Sequence, residues 1–277
     1  MGDYALKSFP FWERIGLHVT PSHFYFPISP SEELTDALFD SISDCVGIDW
    51  NVEQQQLYLN DVFPRYATEI KTQENPGLSL VDAAILHAMI RHHKPKQVIE
   101  IGSGASTRFA ANACLLNGHE NAAAELVAIE PYPQSYLEVG FPGLSKLIKQ
   151  KVQTVPLDSF ANCDLLFIDS SHVVRIGGDV NYEILEIIPR LKQGALIHFH
   201  DILLPGEYWK EWVKDRHYYW SEQYLLMAFL QFNTAFKIVW ASRFMHLNHS
   251  DKIQKIFPYF DLDKHHISSL WIQKVSS

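Results

Sequence analysis

The sequence predicts an α/β fold in which a mostly parallel sheet carries helices on both faces. Three observations indicate this class. Short, continuous apolar runs alternate with amphipathic helical patterns between about residues 78 and 201, a glycine-rich turn joins one of these runs to the helix that follows, and polar residues come directly after two later runs. Parallel strands read as continuous apolar runs because helices cover both faces of their sheet.

The composition is that of a globular chain, large enough for one α/β domain with additional elements. It has 277 residues, of which 47% are hydrophobic and 20% charged. The formal net charge of −9 gives no reason to expect a nucleic-acid partner. Three widely spaced cysteines argue against a disulfide framework, so we expect a cytoplasmic protein. No signal peptide is recognisable, and no apolar run approaches the ~20 residues that span a bilayer.

The first 75 residues differ from the rest because they combine large aromatic side chains with prolines. Irregular segments of this composition usually pack on another surface. We therefore predict that residues 1–75 are largely irregular and form a cap on the substrate side of the main domain, which we place at 76–277. Within the cap, Ser31 is expected to begin a short helix that ends near Ile42.

The main domain begins with a helix whose start carries a recognisable signal. Ser79 is a suitable N-cap, with Asp82 three residues later. A buried strand follows at 97–101, and a second helix at 106–116 is expected to close at Asn117-Gly118.

Further strands and two helices complete the expected pattern. Apolar runs predict strands at 126–129, 152–155, 165–168 and 194–199. Asp179 is expected to cap the helix before the last of these strands, and another helix spans 221–232. Strands at 236–240 and 268–272 suit an antiparallel pair at one end of the sheet, whereas residues 243–266 carry no recognisable pattern.

The strongest functional signal is the glycine-rich turn between the first strand and its helix. Gly102 and Gly104 permit positive backbone angles and let a ligand approach the main chain closely. The same arrangement serves dinucleotides, but Glu100 would repel a pyrophosphate and suits a cationic ligand. Thr107 replaces the third glycine of the dinucleotide pattern. The alternative interpretation is a glycine turn without a ligand.

Two acidic residues follow the second and third strands. Glu130, which precedes Pro131, can accept hydrogen bonds from both hydroxyls of a ribose. Asp158 can accept one from an adenine amino group. The alternative for each is an ordinary loop carboxylate exposed to solvent, and for Asp158 also a helix cap.

Polar residues also end the fourth and fifth strands. They are Asp169, Ser170 and His172 after the fourth, and His200 and Asp201 after the fifth. Ligands of open α/β sheets bind beyond the carboxyl ends of the strands, so both groups should face the crevice of the glycine turn. A histidine there could remove a proton from a substrate hydroxyl, since its charge changes near neutral pH. The alternatives are a divalent metal that lowers the pKa of that hydroxyl, or a histidine of the core.

These motifs together resemble class I S-adenosylmethionine (SAM)-dependent methyltransferases over about residues 78–275. The motifs are Glu100-x-Gly102-x-Gly104, Glu130, Asp169 and Asp201. More narrowly, residues 167–172 and 198–202 are similar to a bacterial small-molecule branch linked to polysaccharide and secondary-metabolite pathways. The resemblance implies a Rossmann-like sheet of seven strands in the order 3-2-1-4-5-7-6, with strand seven antiparallel.

The resemblance also implies SAM as the cofactor. The turn and Glu100 would hold the amino-acid end of SAM, Glu130 its ribose and Asp158 its adenine. Relatives that methylate catechols or sugars bind Mg²⁺ through acidic residues after strands four and five, which Asp169 and Asp201 match, so Mg²⁺ is a second implied cofactor. The cofactor residues expected in this way are Glu100, Gly102, Ser103, Gly104, Ser106, Thr107, Glu130, Pro131, Asp158, Asp169 and Ser170.

We therefore expect methyl transfer to a hydroxyl of a small sugar-like or phenol-like acceptor. His200 or His172 would accept the hydroxyl proton, with Asp169 or Asp201 orienting that histidine. One alternative is an NAD(P)-dependent oxidoreductase, but Tyr208-Trp209-Lys210 is wrongly spaced for its Tyr-x-x-x-Lys pair. Another is a non-catalytic SAM-binding protein. The expected partner is a small-molecule acceptor, without nucleic acid or a membrane span, and homo-oligomer formation is left open.

Overall fold

The computed structural model describes residues 2–70, 78–258, 261 and 266–276. They form two compact units, a smaller one of residues up to 42 together with 206–219 and a larger one of 43–205 and 220–277. The larger unit holds the sheet and every residue predicted for the cofactor and the catalytic site. The predicted boundary at residues 75 and 76 lies outside the described residues and stays a prediction.

The smaller unit is more helical than the sequence indicated. Helix α1 spans Gly2–Arg14, and α2 covers only Asp36–Phe39. The predicted helix from Ser31 to Ile42 is therefore wrong in its extent. Thr35 accepts a hydrogen bond from a backbone N–H of the first turn of α2, and this cap places the helix start after the proline-containing segment.

The larger unit begins with helical rather than irregular structure. Between α3 and α4 a π-helical turn spans Tyr58–Val62, and the apolar residues of this region recur at helical spacing and are buried. The helices of the larger unit are α3 Val52–Leu57, α4 Phe63–Tyr66, α5 Leu80–His93, α6 Ser106–His119, α7 Ser135–Val139, α8 Asp179–Tyr182, α9 Glu222–Leu230 and α10 Ser242–Ile256.

A seven-stranded sheet in the order β3-β2-β1-β4-β5-β7-β6 forms the centre of the larger unit. The first five strands run parallel, and β7 is antiparallel to both β5 and β6. This topology confirms the predicted Rossmann-like sheet and its antiparallel strand. The strands are β1 Gln97–Ile101, β2 Glu125–Ile129, β3 Lys146–Ile148, β4 Leu165–Ile168, β5 Leu196–Phe199, β6 Phe236–Ala241 and β7 Leu270–Lys274.

Helix α5 starts as predicted, but α6 does not end as predicted. The Asp82 backbone N–H donates to Ser79 Oγ at 3.0 Å and caps α5. Helix α6 continues through the expected end at Asn117-Gly118. The Asn117 side chain is buried, donates to the Ile90 carbonyl at 2.8 Å and accepts from Arg91, so it joins α6 to α5.

The third strand was predicted at the wrong place. Residues 152–155 contain a 3₁₀ turn, Val152–Thr154, whereas β3 is Lys146–Ile148 at the edge of the sheet. Edge strands are short and partly exposed, so their apolar pattern is weak. Val152 and Val155 are buried against the sheet without pairing to it, so residues 152–155 have the apolar pattern of a strand although they do not form one.

The helix that precedes β5 is less regular than predicted. Its N-cap is Gly178, and Asp179 is the first helical residue rather than the cap. After α8 the chain passes through a π turn at Glu183–Ile187 and a 3₁₀ turn at Ile188–Arg190. Pro189 has no backbone N–H and therefore ends the α-helical hydrogen-bond pattern. The apolar side chains of this segment are nevertheless buried: Val180, Ile184, Ile187, Ile188 and Leu191.

The end of the chain supplies the last two strands and one helix that the sequence did not indicate. Helix α10 occupies much of the unassigned segment between β6 and β7.

His198 on β5 is a core residue, with its ring between those of Phe167 and Trp271 at centroid distances of 4.2 and 4.1 Å. Among the described residues, no helix is both long and apolar enough to cross a membrane.

Candidate active site

The glycine turn after β1 lies directly against the end of β4. Gly102 has a φ of +80°, and a Cβ at this position would lie 1.8 Å from the Asp169 carbonyl oxygen. Its backbone N–H donates to the Ile129 carbonyl at 3.0 Å. Gly102 therefore brings the ends of β1, β2 and β4 together. By contrast, a Cβ at Gly104 would meet no atom within 4 Å, so this part of the turn is open to a ligand.

Glu100 lies beneath the turn and is fully buried. One carboxylate oxygen, Oε1, accepts from Ser106 Oγ at 2.5 Å, while Oε2 has no hydrogen-bond partner among the described residues. Burial raises the pKa of Glu100 to about 8. At neutral pH Glu100 therefore favours its protonated form, and an ammonium group beside the unpartnered oxygen would favour the carboxylate instead.

The hydroxyl groups predicted to bind the cofactor are engaged within the turn. Ser103 Oγ donates to the Glu100 carbonyl at 3.4 Å, and Thr107 Oγ1 accepts from the Gly104 backbone N–H at 3.1 Å. Ser106 and Thr107 are buried at the start of α6. These side chains fix the shape of the turn, and a direct contact with the cofactor stays a prediction for each of them.

A cavity of about 690 Å³ opens beside the turn, and its size is typical of a small-molecule site. Gly102, Glu130, Pro131, Asp169 and Ser170 line it, as expected for cofactor residues. One oxygen of Glu130, Oε1, accepts from the Tyr132 backbone N–H at 2.8 Å.

Asp158 lies away from the wall of this cavity. It is exposed on the 3₁₀ turn Leu157–Phe160, whereas residues 151–154 line the cavity at the β3 side. The misplaced third strand explains the difference, because the chain reaches the cavity several residues earlier than the sequence indicated.

The polar residues after β4 and β5 form one cluster. His172 Nε2 lies 3.4 Å from Asp169 Oδ1 and 3.6 Å from Asp201 Oδ2. His200 Nδ1 lies 3.5 Å from the same oxygen of Asp169 and 3.2 Å from Asp201 Oδ1. Both histidines are buried, so the four residues predicted for catalysis are brought together as expected.

The charges of this cluster stabilise one another. Burial alone would lower the pKa of His172, but its contacts with Asp169 and Glu222 outweigh burial and raise that pKa to about 10. Burial likewise opposes protonation of His200, yet the charges of Asp201 and Asp169 hold its pKa well above the usual range. Burial would raise the pKa of Asp169, and the two histidines lower it instead. These contacts therefore favour the protonated form of both rings.

Two further carboxylates touch the histidines, and the sequence analysis did not assign either to the site. Glu222 Oε2 lies 2.8 Å from His172 Nδ1. Asp82 Oδ2 lies 3.9 Å from His200 Nε2 and accepts from the Ser268 backbone N–H. Glu222 carried a usable signal, because it stands on the same helical face as the buried Leu226 and Leu230. A carboxylate on an apolar face indicates a buried polar partner.

Part of the cluster is also suited to a cation. Asp169, His200 and Asp201 each offer a ligand atom, and these atoms lie within 4.8 Å of one another. Two carboxylates and an imidazole are a donor set that divalent transition metals accept, whereas Mg²⁺ prefers oxygen ligands throughout. This set of ligands thus suits a divalent transition-metal ion better than it suits Mg²⁺.

Comparisons with known proteins agree with this geometry. A family described as "Methyltransferase domain" matches residues 99–202. An uncharacterized protein from Archaeoglobus fulgidus is 33% identical over 166 residues, which cover 53% of this chain and 74% of that protein.

Similar solved structures include the O-methyltransferase TomG from Streptomyces achromogenes in complex with SAM, at 12% identity and a TM-score of 0.42, covering 82% of this chain and 97% of that one. Another is an O-methyltransferase from Bacillus cereus, at 11% identity and a TM-score of 0.43, covering 82% and 98%. Residues 99–202 therefore belong to a methyltransferase family, and the strand order and the glycine turn are those of the class I SAM-dependent methyltransferases.

Proposed function

We propose that the protein transfers the methyl group of SAM to a hydroxyl oxygen of a small acceptor, such as a phenol or a sugar. One observation carries the proposal. Asp169 lines the cavity and at the same time lies within 3.5 Å of two buried histidines. A proton-accepting group thus stands where the cofactor and an acceptor would meet.

The cavity wall supplies the groups that would hold the cofactor. The turn, which lines the cavity at Gly102 and is open at Gly104, would receive the amino-acid end, and the carboxylate of Glu130 would accept from the ribose. We assign the adenine end to residues 151–154 instead of Asp158, because they line the cavity and Asp158 does not. When bound, SAM supplies a methyl group that its sulfonium has already activated, so the protein mainly aligns donor and acceptor.

We assign the proton acceptor to Asp169, which revises the role expected for the histidines. Both rings lie between carboxylates and already hold protons, so neither is a ready base. An oxygen that is gaining a methyl group becomes strongly acidic, and even a weak base then suffices. The hydroxyl proton would pass to Asp169 as the methyl–sulfur bond breaks and S-adenosylhomocysteine leaves, and His172 and His200 would hold the Asp169 carboxylate in place to receive it.

Asp169, His200 and Asp201 would also be the residues to hold a divalent cation, if the reaction needs one. The ion would supply Lewis acidity that lowers the pKa of the acceptor hydroxyl. Turnover measured with EDTA, with Mn²⁺ and with Mg²⁺ distinguishes a reaction that needs a divalent cation from one that does not.

The first test is calorimetric titration with SAM and S-adenosylhomocysteine. We expect dissociation constants on the order of micromolar, weakened in Glu130→Ala and unchanged in Glu138→Ala, an exposed glutamate paired with Lys149. A screen of phenols and sugars then follows, with detection of S-adenosylhomocysteine. Turnover that Asp169→Asn abolishes supports the proposal. SAM binding with methylation only of nitrogen acceptors would refute it, and binding without any turnover would favour a non-catalytic SAM-binding protein.

A further inference from the structure

The start of α9 encloses His172 from several sides. The His172 carbonyl accepts from the backbone N–H groups of Ser221 at 2.8 Å and Glu222 at 3.1 Å. Ser221 Oγ accepts from the Val174 backbone N–H at 2.9 Å. The Trp220 ring lies 4.4 Å from the His172 ring. One short segment of the chain, residues 220–222, thus contacts both the backbone and the imidazole ring of His172.

His172 needs this support because its backbone is unusual. Its φ is +58°, a region that residues other than glycine seldom adopt. The hydrogen bonds from the start of α9 fix that conformation, and it points the ring back towards the end of β4. The position of the imidazole beside Asp169 is therefore set by residues about 50 positions later in the chain.

Glu222 is the charged member of this segment. It is 0% exposed, and among the described residues its side chain makes one hydrogen bond, between Oε2 and His172 Nδ1. The other oxygen, Oε1, has no partner among the described residues. A carboxylate buried on an apolar helix face lowers stability unless a hydrogen-bond donor lies beside it, and His172 Nδ1 lies 2.8 Å from Oε2. Packing alone would be served better by leucine at this position.

We propose that Glu222 is a positioning residue for methyl transfer, which acts through His172 by holding Nδ1–H and directing Nε2 at Asp169 and Asp201. The inference rests on the proposed role of Asp169 as proton acceptor. A carboxylate behind a histidine fixes the orientation and tautomer of the ring. Without Glu222, the ring would turn away, and Asp169 would lose a contact that positions it as the proton acceptor.

The test compares Glu222→Gln with the neighbouring Gln223→Leu in the full-length protein. Gln223 is equally buried on α9, but its Oε1 accepts from the Leu203 backbone N–H, a contact in a different part of the chain from His172. Both variants should lower the melting temperature. Proton NMR of ¹⁵N-histidine-labelled protein should show a low-field Nδ1–H resonance of His172, which moves upfield in Glu222→Gln and stays in place in Gln223→Leu.

Turnover supplies the second readout. We expect kcat of Glu222→Gln to fall about 10–100-fold, the usual effect of removing a residue that orients a functional histidine, with an unchanged dissociation constant for SAM. Gln223→Leu should keep its kcat. If Glu222→Gln does not fold, Glu222→Asp is measured instead, with the same resonance expected to shift.

An unmoved resonance, or equal losses of kcat in both variants, would overturn the inference. Failure of the wild-type protein to bind SAM would refute the proposed function instead, and the NMR result would still report on the Glu222 contact, because it needs neither cofactor nor acceptor.

Discussion

Replacing Gly102 by alanine is expected to destabilise the fold at the point where the cofactor cavity begins. The new Cβ would lie 1.8 Å from the Asp169 carbonyl oxygen and 2.6 Å from its carbon, both of which are backbone atoms. The backbone would also have to keep a φ of +80°. The unfavourable φ costs roughly 1–2 kcal/mol and the overlap about 1–3 kcal/mol, so we expect a loss of about 2–5 kcal/mol in unfolding free energy.

The assay is urea unfolding followed by tryptophan fluorescence, with the midpoint compared at constant slope. Gly118→Ala is the matched control, because Gly118 lies within α6 and a Cβ there would meet no atom within 4 Å. It should stabilise the protein by about 0.5–1 kcal/mol. If Gly102→Ala unfolds within about 0.5 kcal/mol of the wild type, the close packing of the turn on β4 is not what requires this glycine.

Gly104→Ala separates stability from ligand binding at the same turn. Its Cβ would point into open space and its φ is not positive, so stability should change by less than about 1 kcal/mol. If the turn receives SAM, the added methyl should nevertheless weaken SAM binding by about tenfold, which corresponds to roughly 1.4 kcal/mol. Unchanged affinity would place the cofactor away from Gly104.

Three other substitutions test separate parts of the structure. Burial raises the pKa of Glu100 to about 8, so the folded state holds this proton more tightly than the unfolded state, and stability should fall as pH rises from about 4.5 to 8. Glu100→Gln should flatten that part of a curve of melting temperature against pH. An unaltered slope in the variant would contradict this prediction. Lys274 is buried and donates to the carbonyls of Pro189 and Leu191. Lys274→Met leaves both carbonyls without a donor and should lower the free energy of unfolding in urea by about 1–3 kcal/mol. A change within error would show that water replaces the ammonium group. Asp158→Ala should leave SAM affinity unchanged in calorimetry, since Asp158 is exposed outside the cavity wall, and a clear loss would restore its predicted contact with adenine.

The features that the sequence predicted correctly are those with a local cause. The buried central strands followed from continuous apolar runs, and the start of α5 followed from the Ser79 cap. The strand order followed instead from the resemblance to class I SAM-dependent methyltransferases. The glycine turn and Asp169 were found because each stands directly after a recognisable strand. Position along a parallel strand suffices to predict which end of the sheet a residue occupies.

The failures have a non-local cause. Strand β3 is a short edge strand flanked by lysines, and the buried valines that follow it gave a stronger strand pattern than the strand itself. That error also placed the adenine contact at Asp158, past the part of the chain that reaches the cavity. Glu222 was missed because its partner His172 is 50 residues away, and no spacing rule connects a helix start with a distant strand end.

The arrangement of charges explains how a cluster of protonated histidines can stand beside the site of a cationic donor. Two imidazolium rings alone would repel a sulfonium. Here His172 lies within 3.6 Å of Asp169, Asp201 and Glu222, and His200 lies within 3.5 Å of Asp169 and Asp201, so carboxylates compensate the positive charge of both rings. Asp169 joins the cluster to the cavity, because it lines the cavity and contacts both rings. The same compensation makes Glu222 matter, because its removal would leave His172 with fewer carboxylates and the cavity with a less balanced charge.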